Sequence, residues 1–350
     1  MSSKLFTLAI PTYNRPEYLD ICLKNILVAH SNLSNSEKHF IEILISDNSE
    51  NNLSSDVVNQ SKYDSLNITY IKNNTNIGSD QNLANCYIKS SGVYVSLMGD
   101  DDFVEGDYFT RILPIIKEMQ YMVIFLKVFG YTFSENEKRP NSNQKNIIFK
   151  TPIDALLHRN IQLGFISGLI LRRDKINEQT INNGVGTNLV QVNACLHILS
   201  THNKDSIYIP INLVGTTRNN TGGYNPVKVL YENYFELLNK FDNLGLSNLQ
   251  LDRLKNKMLY TFYSRNFAQY IRANNSGLST NDFKILDKSF HNNFFYKYFI
   301  RKLFKNTSRL NFNLLNIIFT LSNLIYNPYR LADFLKHATN IIIKSLKFNN

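Results

Sequence analysis

Residues 97–103 read LMGDDDF, three adjacent carboxylates behind an apolar run, Val93 to Met98, that predicts a buried strand. Asp100, Asp101 and Asp102 repel one another, so the triplet needs either water or a cation. With water, it is a solvated turn whose Asp residues cap the helix predicted near Gly106 to Lys117. With a cation, it holds a hard divalent ion, Mg2+ or Mn2+, which takes carboxylate oxygens and keeps substrate phosphates in its shell. Three further polar clusters have residue types that can join such a site. They are PTYNRP at 11–16, SDNSEN at 46–51 and NNTNIGSDQN at 73–82.

The elements between these clusters decide which answer holds. Apolar runs at 5–10, 40–46, 67–72, 93–98 and 122–133 predict strands. Helical patterns separate them. The first follows Asn14, the expected cap, with Pro16 in its first turn and Leu19, Cys22, Leu23, Ile26 and Leu27 on one face. The others cover 80–90 and 107–119. This alternation predicts an α/β fold with a mainly parallel sheet and helices on both faces. In such sheets ligands bind beyond the carboxyl ends of the strands. The four polar clusters follow four successive strands, so one edge gathers Thr12, Asn14, Arg15, Asp47, Gly78, Asn82 and the Asp triplet into a crevice. Solvated turns do not require that coincidence.

Composition narrows the function classes. The chain has 350 residues, enough for one large domain and a smaller one. Cys22, Cys86 and Cys195 are widely spaced and odd in number, which suits a reducing cytosol rather than a disulfide framework. No signal peptide is read at the N-terminus, where KLFTLAI runs straight into a turn. The net charge of +10 is concentrated at one end: residues 291–350 hold nine Lys or Arg against one acid, Asp333, a net +8. The rest is nearly neutral, which argues against a nucleic-acid protein.

The motifs together resemble family 2 of the glycosyltransferases, the large group with the GT-A (Rossmann-like) fold. IPTYNR at 10–15 resembles the family's first-strand motif, and SDNSEN its Asp-Asp-x-Ser loop, with Asn48 in place of the second Asp. NTNIGSDQN at 74–82 resembles its Asn-x-Gly segment, and GDDD at 99–102 its Asp-x-Asp motif. Order and spacing match over roughly residues 4–130; beyond that only FISGLILRRD (165–174) does, loosely. The form is closest in kind to the branch of abequosyltransferase-type O-antigen and capsule enzymes.

The resemblance implies a metal-dependent, hexosyltransferase-type, inverting enzyme of bacterial surface polysaccharide synthesis. Its donor would be a nucleoside-diphosphate sugar, UDP or dTDP favoured, its cofactor Mn2+ or Mg2+, and its acceptor a glycan or polyprenyl-diphosphate-linked hydroxyl. Asp47 can accept the imide N–H of uracil or thymine, or build an Asx-turn. Pro11, Thr12, Tyr13 and Asn14 can wrap base and ribose. Arg15 and Arg218 can meet phosphate, and Gly78 with Asn82 can border the donor. Asp100 would reach the ribose or the ion, and Asp102 the ion; residues i and i+2 of an extended turn point the same way. The expected domains are 1–225 (donor half about 1–130, acceptor half about 131–225) and a helical, basic region, 226–350.

One departure stands out. The family's acidic base falls some 10–15 residues after the segment resembling LILRRD, yet here 182–197 reads NNGVGTNLVQVNACLH, without a carboxylate. His197, Asp174, Glu178 and Asp101 are the alternatives, with His202 behind them. A sugar-nucleotide nucleotidyltransferase would also use paired Asp, but needs a glycine-rich triphosphate loop that AIPTYNRP lacks. A degenerate scaffold of the same fold would explain the missing base. Basic and aromatic residues alternate at helical spacing through 294–306, which fits helices on an anionic membrane surface or an oligomer interface. The expected location is cytoplasmic, peripheral on the inner membrane face.

Overall fold

A computed structural model describes residues 4–131, 144–202, 204–217, 223–263, 267, 270, 278–294 and 296–305. Arg218 and the end of the basic tail, 306–350, lie outside the described residues.

The predicted alternation forms. Strand β1 (Phe6–Thr12) leads to helix α1 (Pro16–Ser31) and a short helix α2 (Asn35–Lys38). Strand β2 (Ile41–Asp47) precedes helix α3 (Leu53–Val58). Strand β3 (Ile68–Lys72) precedes α4 (Ser79–Lys89), and β4 (Tyr94–Leu97) with a two-residue β5 (Phe103–Val104) precedes α5 (Tyr108–Lys117). Then follow β6 (Val123–Tyr131), β7 (Ile147–Phe149), α6 (Pro152–Arg159), β8 (Leu169–Arg172), α7 (Glu178–Asn182), α8 (Val190–Thr201) and β9 (Ser206–Thr217).

The sheet order is β3-β2-β1-β4-β8-β6-β9-β5, with β7 on β9. β1, β2, β3 and β4 are mutually parallel, and β6 is parallel to β9. β8 is antiparallel to both β4 and β6, so it enters between two strands that run the same way. Its first residues therefore stand at the carboxyl edge of β4. Its end, Arg172 opposite Tyr94, stands at the amino edge.

Both sheet faces are covered. Phe6, Leu8 and Ile10 pack with Leu19, Cys22, Leu23 and Ile26 of α1 and with Ile112, Leu113 and Ile116 of α5. α4 lies against β1, β2 and β4, and α8 against β8 and β6. Two caps differ from expectation. α1 is entered from Arg15 without a side-chain cap, because Asn14 adopts φ +52° and uses its backbone N–H on Ser49 Oγ. α5 is preceded by Asp107, so the Asp triplet caps nothing.

The described chain divides into two compact units. One holds the sheet, up to Tyr224, with Asn233–Gly245; the other holds Asn225–Glu232 and the described residues from Leu246 onward. The second unit is helical, with Asn248–Met258 and Thr280–Phe290 as its longer helices. Its core is aromatic: Tyr263 stacks on Phe267 at 5.1 Å, and Phe290, Tyr296 and Phe304 are buried. The alternation of aromatic and basic residues at 294–304 thus splits. Tyr296 and Phe304 face inward, while Phe294 and Tyr298 remain exposed. Among the described residues no helix is long and apolar enough to cross a membrane.

Gly92 marks where α4 returns to the sheet. Its N–H donates to Thr7 Oγ1, and a Cβ there would stand 2.6 Å from the Thr7 backbone nitrogen. A strand backbone cannot swing away as a side chain can. Gly92→Ala is expected to destabilise the protein by ~1–3 kcal/mol, read as a lower urea midpoint at unchanged m-value.

Candidate functional site

The four polar clusters meet at the carboxyl edge. The Asp turn lies after β4, closed by the Asp102 N–H donating to the Gly99 carbonyl at 3.1 Å. This is a tight turn, not the extended one that would aim Asp100 and Asp102 alike. Each is held by a different wall. Asp100 Oδ2 accepts from Thr12 Oγ1 at 2.9 Å, and Oδ1 from Arg15 at 3.3 Å. Asp102 Oδ2 accepts from Ser167 Oγ at 2.5 Å, while the Gly99 N–H donates to the same hydroxyl. Thr216 of β9 adds a bond to Asp102. Arg15 also lies 3.6 Å from Asp101, with its own side chain 45% exposed. Gly99 packs closely here, since a Cβ would stand 3.0 Å from both Asp101 Oδ1 and Asp102 Oδ2.

The charge balance of this turn is unfavourable. Asp100 and Asp102 are each only 5% exposed. Burial lifts Asp102 to about 7; repulsion from Asp101 and Asp100 adds, and bonds from Ser167 and Thr216 oppose. Burial lifts Asp100 to about 6, opposed by Thr12 and Arg15. Arg15 supplies the positive charge beside Asp100 and Asp101. Among the described residues no group of three ligating side chains is assembled. Two hard carboxylates at one turn nevertheless suit Mg2+ or Mn2+, which are commonly bound by one or two carboxylates, with water and phosphate completing the shell.

The second wall comes from the loops after β2 and β3. Asp47 forms the Asx-turn: Oδ1 accepts the Ser49 N–H at 2.8 Å and Oδ2 the Tyr70 hydroxyl at 2.7 Å, with Lys72 at 3.7 Å. It is fully buried, so an imide contact requires one of these bonds to be exchanged. Asn48, where the family carries Asp, is a two-way clamp. Its Nδ2 donates to Asn76 Oδ1 and the Gly78 carbonyl; its Oδ1 accepts from Asn73 Nδ2 and the Ile77 N–H. A carboxylate could accept but not donate. Asn82 is buried and joins α4 to β2, accepting from Ser46 Oγ and donating to the Ser46 carbonyl. Gly78, at φ +84° with open space beyond it, serves as a turn glycine heading α4. Pro11 and Thr12 end β1, and Tyr13, at 45% exposure, and Asn14 form the open lip of the crevice.

The topology sorts the candidate bases. Asp174 follows β8 at the amino edge and pairs with Arg172 at 3.0 Å. Glu178 opens α7 beside Arg173, whose guanidinium binds the carbonyls of Tyr87 and Ile88 in the last turn of α4. Both stand at the far edge from the Asp turn. α8 runs the same way, because β9 starts at the amino edge five residues after it ends. His197 is seven residues past Val190, the start of α8, ~10 Å down the helix, beside His202, and burial lowers its pKa. Of the sequence candidates only Asp101 stays at the crevice. Ser167 and Thr216 were missed, since their hydroxyls carry no motif and come into place through β8 and β9.

The chain is similar to known proteins in sequence and fold. Residues 7–180 match the family profile described as Glycosyl transferase family 2. The abequosyltransferase RfbV of Salmonella typhimurium is 34% identical over 107 residues, spanning 29% of this chain and 30% of the relative's length. The S. aureus TarS 1-349 structure in complex with UDP-GlcNAc superposes at TM-score 0.58 with 16% identity, covering 94% of this chain and 92% of that one. The same protein in complex with UDP gives 0.57 and 15%, with the same coverage.

The raised carboxyls give a pH test. A pKa higher in the folded than in the unfolded state means that the folded state binds the proton more tightly. The stabilisation is then complete below about pH 4 and is lost as pH rises through 6 and 7. Asp102→Asn removes this loss. Without ligand at pH 8 it should melt higher than the parent protein, by about 1–3 kcal/mol, and the gap should close near pH 4 in calorimetry.

Proposed function

We propose that the chain, which belongs to glycosyl transferase family 2, moves a sugar from a nucleoside-diphosphate sugar to a hydroxyl of a glycan or lipid-linked acceptor in surface polysaccharide synthesis. The observation that carries this reading is the pair of buried, destabilised carboxylates on the turn where four loops meet. Asp100 and Asp102 would hold the divalent ion, and the ion would offset the charge on the departing diphosphate. Arg15, half exposed beside Asp100 and Asp101, would turn toward phosphate. The loop from Pro11 to Asn14 would take the nucleoside, with the exposed Tyr13 ring as a face for the base. UDP or dTDP is the favoured carrier; UDP-GlcNAc and UDP are the ligands of the TarS structures of similar fold.

The test is release of nucleoside diphosphate from a panel of UDP-, dTDP-, GDP- and CDP-sugars with Mn2+. Turnover of at least one donor is expected. Asp102→Asn should lose most cation-dependent nucleotide affinity, at least tenfold in Kd by calorimetry, while remaining folded. No turnover together with no nucleotide binding by the parent protein would defeat the reading.

The second unit would bring the enzyme to an acceptor held at an anionic membrane surface. Phe294 and Tyr298 are exposed with their rings 5.0 Å apart, next to Lys297, in a segment of net charge +8. Each basic residue near such a surface contributes about 1 kcal/mol, screened by salt. The Phe294→Ala, Tyr298→Ala double variant should sediment less with phosphatidylglycerol vesicles at 0.5 M NaCl than the parent protein. Equal sedimentation would leave only charge, or no membrane role for these rings.

A further inference from the structure

Arg15 enters α1 at the carboxyl edge, and its carbonyl accepts the Leu19 N–H, the first bond of the helix. The residue before it is held too: Asn14 gives its backbone N–H to Ser49 Oγ, and its Oδ1 accepts from Asn51 Nδ2. Any movement of the guanidinium is therefore a movement of the side chain about a set backbone. That side chain is 45% exposed and holds the acids loosely. One nitrogen, Nη1, makes both contacts, 3.3 Å to Asp100 Oδ1 and 3.6 Å to Asp101 Oδ2. The strong form of such a pair uses two parallel N–H bonds at shorter range. The guanidinium carbon lies 5.9 Å from the ring of Tyr18, the outer limit of a cation–π contact. Neutral hydroxyls hold the remaining ends of the buried acids, Thr12 on Asp100 Oδ2 and Ser167 on Asp102 Oδ2. Arg15 thus brings positive charge to the turn through Asp100 Oδ1, and a divalent ion on Asp100 would compete with it there.

We propose, resting on the transferase reading above, that Arg15 is a resident counter-ion that yields Asp100 to the divalent ion and passes to the donor diphosphate, so that ion and nucleotide bind as a coupled pair. In the free protein the guanidinium offsets the carboxylates and weakens their hold on the ion, because two cations at one carboxylate repel. A diphosphate is the better partner, since it can accept parallel N–H bonds from the whole guanidinium fork. Arg15 then leaves Asp100 Oδ1 without losing an anion. Each ligand favours the same new position of one side chain. That shared preference is a coupling free energy, equal in both directions. A counter-ion that stays in place acts differently: its removal would strengthen ion binding equally with and without nucleotide.

The experiment measures Mn2+ binding to the full chain with and without a saturating nucleoside diphosphate, UDP or dTDP, reading free Mn2+ from its electron paramagnetic resonance signal. The parent's Kd for Mn2+ should fall roughly 5–150-fold when the nucleotide is present. Without nucleotide, Arg15→Ala should bind Mn2+ tighter than the parent by about threefold or more, and the gain from nucleotide should shrink by about threefold or more. Arg15→Lys, which keeps the charge without the fork, should match the parent without nucleotide and lose part of the gain. Lys24→Ala removes a charge from the same helix, but from a pair with Asp20, and should match the parent in both states. If Arg15→Ala does not fold, Arg15→Gln, which keeps the stem and a donor without the charge, takes its place. Mn2+ bound no tighter by the neutral variant without nucleotide overturns the assignment. So does a parent whose Kd for Mn2+ ignores the nucleotide. A neutral variant with tighter Mn2+ binding and an undiminished gain also overturns it, and makes Arg15 a fixed counter-ion. A parent that binds neither Mn2+ nor any nucleoside diphosphate of the donor panel defeats the transferase reading and this one together, whereas a parent that couples the two exactly as its neutral variant does defeats this one alone.

Discussion

Two carboxylates held out of water on one turn govern the architecture around them. Asp100 and Asp102 are ordinary acids made costly by burial, and each needs partners that the turn itself cannot provide. Thr12 comes from β1, Arg15 from the entry to α1, Ser167 from the approach to β8 and Thr216 from β9. Four separate elements are therefore committed to one three-residue stretch. Buried carboxylates of this kind persist only where the surrounding structure supplies hydrogen-bond partners, and the sheet does so here.

The insertion of β8 explains how. A purely parallel sheet would place only loop backbones over the crevice. An antiparallel strand between β4 and β6 begins where its neighbours end, so Ser167, just before it, arrives at the Asp turn. The same reversal carries Asp174 and Glu178 to the opposite edge, where they serve ion pairing and the packing of α7 rather than the crevice. A single change of strand direction thus both builds the site and removes two acids from it.

Asn48 shows how one atom type can separate related loops. As an amide it both donates and accepts, and it binds four groups of the 73–78 loop, fixing the start of α4. That fixed start holds Gly78 and, two residues on, Asp80. The departure from the family's acidic pair is therefore a structural substitution with a clear hydrogen-bond logic, and it orients the helix whose Asp80 latches the 184–188 turn by accepting the Gly186 and Asn188 N–H groups.

Much of the donor side was written in local sequence. Apolar runs marked β1 to β4 and helical patterns marked α1, α4 and α5, and polar clusters after successive strands placed Thr12, Asp47 and Asp100 to Asp102 on one edge, because parallel strands leave no other choice. Asn14, read as a helix cap, instead takes a left-handed turn, since cap and turn chemistry share the same side chains. What local patterns could not carry was contact across long separations. Ser167 and Thr216 meet Asp102 from 65 and 114 positions away, and Asp80 meets Gly186 and Asn188 from 106 and 108. Those pairings depend on strand direction and register. These follow from the packing of the whole sheet rather than from any window of sequence, so the tertiary structure alone decided which acids share a site.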